Sequence, residues 1–191
     1  RTILKREVLP ENVANAVIEG ADAVMLSGET ATGQFPVLVI ETMRKIISEV
    51  EENGYKYNRS EDLKPQPHSP SFLSDAICYN ACKIAKDVNA EALVGMTQSG
   101  YTGFMLSSYR PSSPLFIFTK EKTLVNQLSL SWGVRAFYYA EEESLDEIIH
   151  DQIQILKERG FINSGDVVIN TGSTPVDLHL PTNIIKLTKV N

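Results

Sequence analysis

The chain has 191 residues, 18 of them Lys or Arg and 24 Asp or Glu, giving a net charge of −6 with 42% hydrophobic and 22% charged positions. That is ordinary globular composition, enough for one good core and a substantial extra segment and too little for two large domains. A pI near 5.1 with no dense basic tract argues against nucleic-acid backbones and acidic membranes as partners, and apolar runs of about four residues, such as Ala23-Val24-Met25-Leu26, fall far short of a bilayer span.

The opening Arg1-Thr2-Ile3-Leu4-Lys5-Arg6-Glu7 has neither the apolar core nor the small-residue cleavage site of a signal peptide, and the missing start methionine points to a chain cut from a longer one. Val13, Ala14, Val17 and Ile18 then recur at helical spacing behind Pro10, with Gly20 as the stop. Residues 23–27 read as a short buried strand, Ser27 to Gly33 as a loop, and Pro36 opens a helix with the stripe Val39, Ile40, Met43, Ile46, Ile47 and Val50. One buried strand between two helices cannot satisfy its own backbone groups, so residues 1–52 are expected to be a fragment of a larger sheet-bearing unit. Residues 53–70, ending Lys64-Pro65-Gln66-Pro67-His68-Ser69-Pro70, are polar and proline-rich and read as a linker.

From Ser71 the pattern is a regular alternation of helix and strand. The helix over Phe72 to Val88 carries Leu73, Ala76, Ile77, Ala81, Ile84, Ala85 and Val88 as its expected apolar face. Strands follow at 92–96, 115–119, 134–139 and 166–170, separated by helices starting near Gly100, over 121–130, and through Leu145, Ile148, Ile149, Ile153 and Leu156, and a last strand runs over 183–190. This predicts an α/β domain over 71–191, an open, mostly parallel sheet with helices on both faces and an antiparallel strand at one edge. Cys78 and Cys82, four apart on one helix, suit neither a disulfide nor a zinc site and read as small hydrophobes in a reducing compartment.

Ligands in such sheets bind beyond the carboxyl ends of the strands, which makes Thr97 to Thr102, Thr119 to Lys122 and Thr171 to Pro181 the candidate loops. Thr97, Gln98, Ser99, Gly100, Tyr101 and Thr102 join a strand end to a helix start, where backbone N–H groups and hydroxyls suit a phosphate. The competing reading is that Ser99 or Thr102 merely caps the helix. Ser173, Thr174, Pro175 and Asp177 follow another strand and are candidates to close over the same edge. Ser27, Gly28, Glu29 and Thr30 offer one carboxylate beside hydroxyls, which suits a metal or polar substrate or, more simply, a capped turn. His68, His150 and His179 have no metal-ligand spacing, Trp132 reads as a packing residue, and Glu141-Glu142-Glu143 as a solvated helix entrance. No Walker loop, dinucleotide fingerprint or nucleophile elbow occurs.

The run Asn12-Val13-Ala14-Asn15-Ala16-Val17 followed by Glu19 through Ala31, with Gly33 and Pro36 behind it, resembles the stretch through the last barrel strand of the pyruvate kinase family. Thr97-Gln98-Ser99-Gly100, Ser108-Tyr109-Arg110-Pro111, Arg159-Gly160-Phe161, Gly165-Asp166-Val167-Val168 and Thr182-Asn183 are similar, in order, to that family's C-terminal domain, so the resemblance covers the chain from about Asn12 onward. It implies that residues 1–52 end a (β/α)8 barrel, with Ser27, Gly28, Glu29 and Thr30 on its catalytic face, and that 71–191 is the regulatory domain of a homotetramer. It further implies a cytoplasmic, glycolytic parent that moves a phosphoryl group from phosphoenolpyruvate to ADP with Mg2+ and K+. The family's phosphate-contacting lysine and metal-binding acids lie earlier in the barrel, so this chain alone is expected to be inactive and to hold no metal.

Two departures stand out. Ungapped counting puts Arg6, within Lys5-Arg6-Glu7-Val8-Leu9, where the family has a substrate-site threonine. Members activated by fructose 1,6-bisphosphate place an arginine where this chain has Ile148 or Glu147, and an Arg/Gly-rich loop where it has Ser173 to Asp177. A sugar monophosphate or a nucleotide, rather than the bisphosphate, is therefore the expected effector, if there is one. The alternatives are a stand-alone module binding a phosphorylated metabolite and a structural subunit contact with an empty pocket.

Overall fold

A computed structural model describes residues 10–53, 57–58, 63–140, 144–178 and 180–191. Arg6 and its neighbours, Glu141 to Glu143 and His179 lie outside the described residues. The chain divides into two compact units, Arg1–Lys56 and Tyr57–Asn191.

In the first unit α1 spans Pro10–Ile18. It ends on Gly20, whose φ of 89° lets the Gly20 N–H reach the Val17 carbonyl and the Ala21 N–H reach that of Ala16, the paired bonds of a left-handed helix stop. Val13, Ala16 and Val17 are buried, whereas Ile18 is exposed. Residues 23–27, expected as a strand, belong to no sheet among the described residues, because a strand needs a neighbour and the described residues of this unit supply none. Part of the expected loop winds instead into the single turn α2, Gly28–Ala31. The helix α3, Pro36–Asn53, keeps Val39, Met43, Ile46, Ile47 and Val50 half-buried. Phe35, Val37, Leu38 and Ile40 are all more than half exposed.

The second unit holds α4 (Phe72–Asp87), β1 (Ala92–Met96), α5 (Tyr101–Ser108), β2 (Leu115–Thr119), α6 (Lys122–Leu128), β3 (Val134–Tyr138), α7 (Leu145–Glu158), β4 (Val167–Gly172) and β5 (Ile184–Lys189). The five strands form one sheet in the order β3-β2-β1-β4-β5. The pairs β2-β3, β1-β2 and β1-β4 are parallel, and β4-β5 is antiparallel.

Strand residues alternate between two cores, as the pleat requires. Leu93, Leu115, Ile117 and Ile169 meet α4, α5 and α6 on one face through Cys78, Cys82, Leu106, Leu124 and Leu128. Val94, Phe116, Phe118 and Val168 meet α7 on the other through Ile148, Ile149, Ile153 and Leu156. Phe118 stacks on Phe137 with ring centroids 5.0 Å apart.

The face that α4 buries overlaps the expected one at Ala81 and Ala85, with Ala76, Ile77 and Ile84 half-buried, and departs from it elsewhere. Ser74, Asp75, Cys78, Ala81, Cys82 and Ala85 turn inward, and Leu73 is 75% exposed. Small side chains let the helix backbone lie close to the sheet, and close approach outweighs the larger apolar residues here. Tyr57 and Asn58 fasten to this unit as well. The Asn58 N–H donates to the Arg110 carbonyl at 2.6 Å, and Trp132 packs against Tyr57 and under the buried Arg110 guanidinium. Among the described residues no helix is long and apolar enough to cross a membrane.

Candidate functional site

The sheet reverses direction at β1. From β1 the chain steps outward to β2 and β3, then returns to place β4 on the other side of β1. The connections leaving β1 and β4 diverge at their carboxyl ends, and a crevice opens between them. A cavity of about 740 Å³ lies there.

Met96, Thr97, Gln98 and Ser99 enter it from the end of β1, and Tyr101 and Thr102 from the first turn of α5. Thr171, Gly172 and Ser173 enter from β4, and Pro181, Thr182 and Asn183 from the approach to β5. The head of α4 contributes Ser71, Leu73 and Ser74, and one face of α7 contributes Leu145, Ile148, Ile149 and Gln152. Two of the three candidate loops therefore meet at one cavity. The third, Thr119 to Lys122, follows β2, away from the reversal, and closes on itself through the Glu121 N–H donating to Thr119 Oγ1 at 3.2 Å.

The hydroxyls of 97–102 are already engaged with the chain. Thr97 Oγ1 accepts the Gly100 N–H at 3.0 Å, and Ser99 Oγ accepts the Tyr101 N–H at 3.4 Å. Thr102 Oγ1 and Thr182 Oγ1 lie 2.6 Å apart, which ties α5 to the segment entering β5. Gly100 has φ +85° and is required there twice over, since an added Cβ would come within 2.8 Å of Leu124 and 2.9 Å of Phe104. Gly100 shapes the turn without lining the cavity.

Ser173 and Val176 line the cavity, whereas Thr174 and Pro175 do not. Asn183 holds that loop, accepting the Thr174 N–H at 3.0 Å and donating to the Thr174 carbonyl at 2.8 Å. Ile148, where the resemblance would put a cation, lines the cavity and is 1% exposed. Glu147 turns away into a capping box with Ser144. Among the described residues that line the cavity, none is Lys, Arg, His, Asp or Glu.

The sequence reading missed the support behind this wall. Tyr101 Oη donates to Asp75 Oδ1, and Ser71 Oγ donates to Asp75 Oδ2 at 2.8 Å. It also missed Gln152, 2% exposed, whose Nε2 has no hydrogen-bond partner among the described residues. A signal for Gln152 exists in the sequence: it stands at i+4 and i+3 from Ile148 and Ile149, where an apolar residue is expected.

In the first unit, the Glu29 carboxylate accepts the Ser27 N–H at 3.0 Å, and Thr30 Oγ1 donates to the Ser27 carbonyl at 3.2 Å. Gly28 begins α2. These four residues come together as a capped turn. Among the described residues no three His, Cys, Asp or Glu side chains converge to hold a metal ion. His150 is exposed, and Cys78 and Cys82 are buried free thiols.

Comparison with known proteins places these features. Residues 75–188 match the family model described as "Pyruvate kinase, alpha/beta domain", and residues 6–40 match "Pyruvate kinase, barrel domain". The chain is 33% identical over 176 residues to a pyruvate kinase of Clostridium acetobutylicum, covering 92% of this chain and 37% of that protein. It is 35% identical over 182 residues to one of Clostridium perfringens, covering 94% and 38%. A pyruvate kinase of Mycobacterium tuberculosis is 36% identical over 179 residues, covering 94% and 37%. The chain thus spans under two-fifths of the length of these relatives.

Proposed function

Because the chain belongs to the pyruvate kinase family, we propose that it is the C-terminal portion of a cytoplasmic pyruvate kinase. Residues 1–52 would end the catalytic barrel, 53–70 would link, and 71–191 would form the regulatory and assembly domain of a homotetramer. The parent would transfer a phosphoryl group from phosphoenolpyruvate to ADP, with Mg2+ and K+ offsetting the charge on the transferring group. The observation that carries this reading is the surface of the first unit. Phe35, Val37, Leu38 and Ile40 are exposed together, and residues 23–27 join no sheet among the described residues. A stand-alone binding module has no use for such a surface, whereas the remainder of a barrel would cover it.

The cavity of the second unit is proposed as the effector site. A ligand with one phosphate, a sugar monophosphate or a nucleotide, would rest its phosphate at Thr97, Gln98, Ser99, Gly100, Tyr101 and Thr102, with Ser173, Thr174, Pro175 and Asp177 as the loop above it. Fructose 1,6-bisphosphate is disfavoured, since a second phosphate would meet Ile148 and, among the described residues, no cationic side chain lines the cavity.

Calorimetric titration of the chain with glucose 6-phosphate, ribose 5-phosphate, AMP and fructose 1,6-bisphosphate, repeated on Thr97→Ala/Ser99→Ala, tests the site. Saturable binding of a monophosphate that the double variant loses supports it. No binding by any of the four overturns the effector reading and leaves the domain as an assembly element. The same chain is expected to form no pyruvate from phosphoenolpyruvate and ADP, and turnover would overturn its assignment as an inactive fragment.

A further inference from the structure

The stretch that composition marks as a linker is fastened to the second unit through Tyr57 and Asn58. The Asn58 N–H donates to the Arg110 carbonyl at 2.6 Å, and the Ser112 N–H donates back to Asn58 Oδ1 at 3.4 Å. Beside them the Tyr57 ring lies 5.9 Å from that of Trp132, and the Arg110 guanidinium stands 5.0 Å over the same indole. Trp132 is held to α5 in turn, since Ser107 Oγ donates to its carbonyl at 2.7 Å. The segment therefore docks where α5 ends.

The backbone at this contact is strained on both sides. Asn58 has φ +58° and Arg110 has φ +49°, so the 2.6 Å bond joins two non-glycine residues in the left-handed region. Asparagine tolerates that region, whereas an arginine followed by Pro111 is biased to extended backbone. Such a conformation holds while its surroundings impose it and relaxes when they let go.

The contact also lies outside both cores, neither of which contains Tyr57 or Trp132. Tyr57 and Asn58 are half-buried, and of residues 63–70 all but Pro65 and Ser69 are exposed. Lifting Tyr57 and Asn58 away separates no pair of core side chains, which is the condition for an opening that leaves the rest of the domain folded.

We propose that Tyr57–Asn58 is a strap latched onto the C-terminal end of α5 between Arg110 and Trp132, and that it comes off while the sheet stays intact. Latched, the chain leaves the second unit at Tyr57. Released, it leaves at the head of α4, near Ser71, so the latch sets how much chain is free as a tether. This device does not depend on what the cavity binds.

Native-state hydrogen exchange on the 191-residue chain tests it, together with acrylamide quenching of Trp132, the chain's one tryptophan. The Asn58 amide is expected to be protected at least about tenfold over an unfolded chain, yet to exchange at least about a hundredfold faster than the amides of β1 and β2. In Tyr57→Ala that protection should fall by about tenfold and Trp132 quenching should rise by about twofold, with the β1 and β2 amides unchanged. Asn58→Ala, which removes the bond from Ser112, is the second variant and should shift both readouts the same way.

An Asn58 amide that exchanges only when β1 and β2 do would make the segment part of the global fold and overturn the strap. An Asn58 amide unprotected in the parent chain would overturn the latch itself. Loss of the native sheet in both variants, or both readouts unmoved in both, overturns the proposal as well.

Discussion

The Tyr101 phenol donates a 2.5 Å hydrogen bond to Asp75 Oδ1, joining the first turn of α5 to the first turn of α4 beneath the rim of the cavity. Ser71 Oγ meets the other carboxylate oxygen at 2.8 Å, so a carboxylate only 8% exposed is solvated by two hydroxyls from the same unit. Desolvation, followed by the bond to Asp75, pushes the Tyr101 phenol above its ordinary value. It therefore remains a donor throughout the neutral range.

Tyr101→Phe removes one of the two donors and leaves Asp75 half satisfied. A loss of about 1–2 kcal/mol in unfolding free energy is expected, from urea melts compared at pH 7. Since the folded-state value is raised, the contribution is whole below the unfolded phenol's value of about 10 and declines as pH climbs through the folded one. The gap between wild type and Tyr101→Phe should narrow above that pH, and a gap unchanged to pH 11 would show that the phenol is not the titrating partner.

Both thiols should be silent in the native chain. Desolvation, then the Asp75 charge, pushes Cys78 up to about 12, and desolvation, then Cys78, pushes Cys82 up as well. The thiolate is the reactive form, so neither should react with a disulfide reagent at pH 8 until urea opens the domain. Two equivalents titrated within seconds in buffer alone would contradict the burial.

The α7 capping box predicts an acid-dependent stability. Ser144 Oγ accepts the Glu147 N–H at 3.4 Å while the Glu147 carboxylate accepts the Ser144 N–H at 3.0 Å. Bonds from the Ser144 side chain, then its backbone, hold the Glu147 carboxyl below the usual carboxylate range. A lowered folded-state value gives stability present above the unfolded carboxyl's value and lost as pH falls through the folded one. Ser144→Ala should lower the melting temperature at pH 7, and its deficit should shrink as the pH is taken down towards 3.

Gly100→Ala combines a left-handed backbone with a clash against Leu124 and Phe104. A loss of about 2 kcal/mol or more is expected, together with weaker binding of whichever ligand the cavity takes. A fully stable Gly100→Ala chain would mean that the 97–102 turn is not held as described.

The sheet was legible because Leu93 to Met96 and Leu115 to Phe118 are unbroken apolar runs separated by a helix-length segment, which parallel crossovers accommodate. The face of α4 was legible only in part, at Ala81 and Ala85. Its inward positions are Ser74, Cys78, Ala81 and Ala85, chosen by how closely a helix can approach, a property hydrophobicity does not record, while the larger Leu73 stays outside. The strand at 23–27 was read from residue type, but strand character belongs to a pair, and the described residues of this unit hold no pair for it. Of the three candidate loops, strand order alone separates the two that meet from the one that does not, and order is a long-range fact. The Tyr101–Asp75 bond spans 26 positions and leaves no local trace. Gln152 left one, as a single amide in an apolar stripe, which is easily passed over as a surface residue.

The pairing of β1 with β4 carries a kinetic consequence. Thr171 Oγ1 reaches the Val94 carbonyl across 77 positions of chain, and Leu93 stands opposite Ile169. Closing so long a loop is slow compared with forming the β1-α5-β2 crossover. The cavity is therefore among the last parts of the domain to exist, and whatever occupies it binds only the finished sheet. Such a ligand acts on the lifetime of the native domain by slowing its opening, leaving the rate at which the early half assembles unchanged.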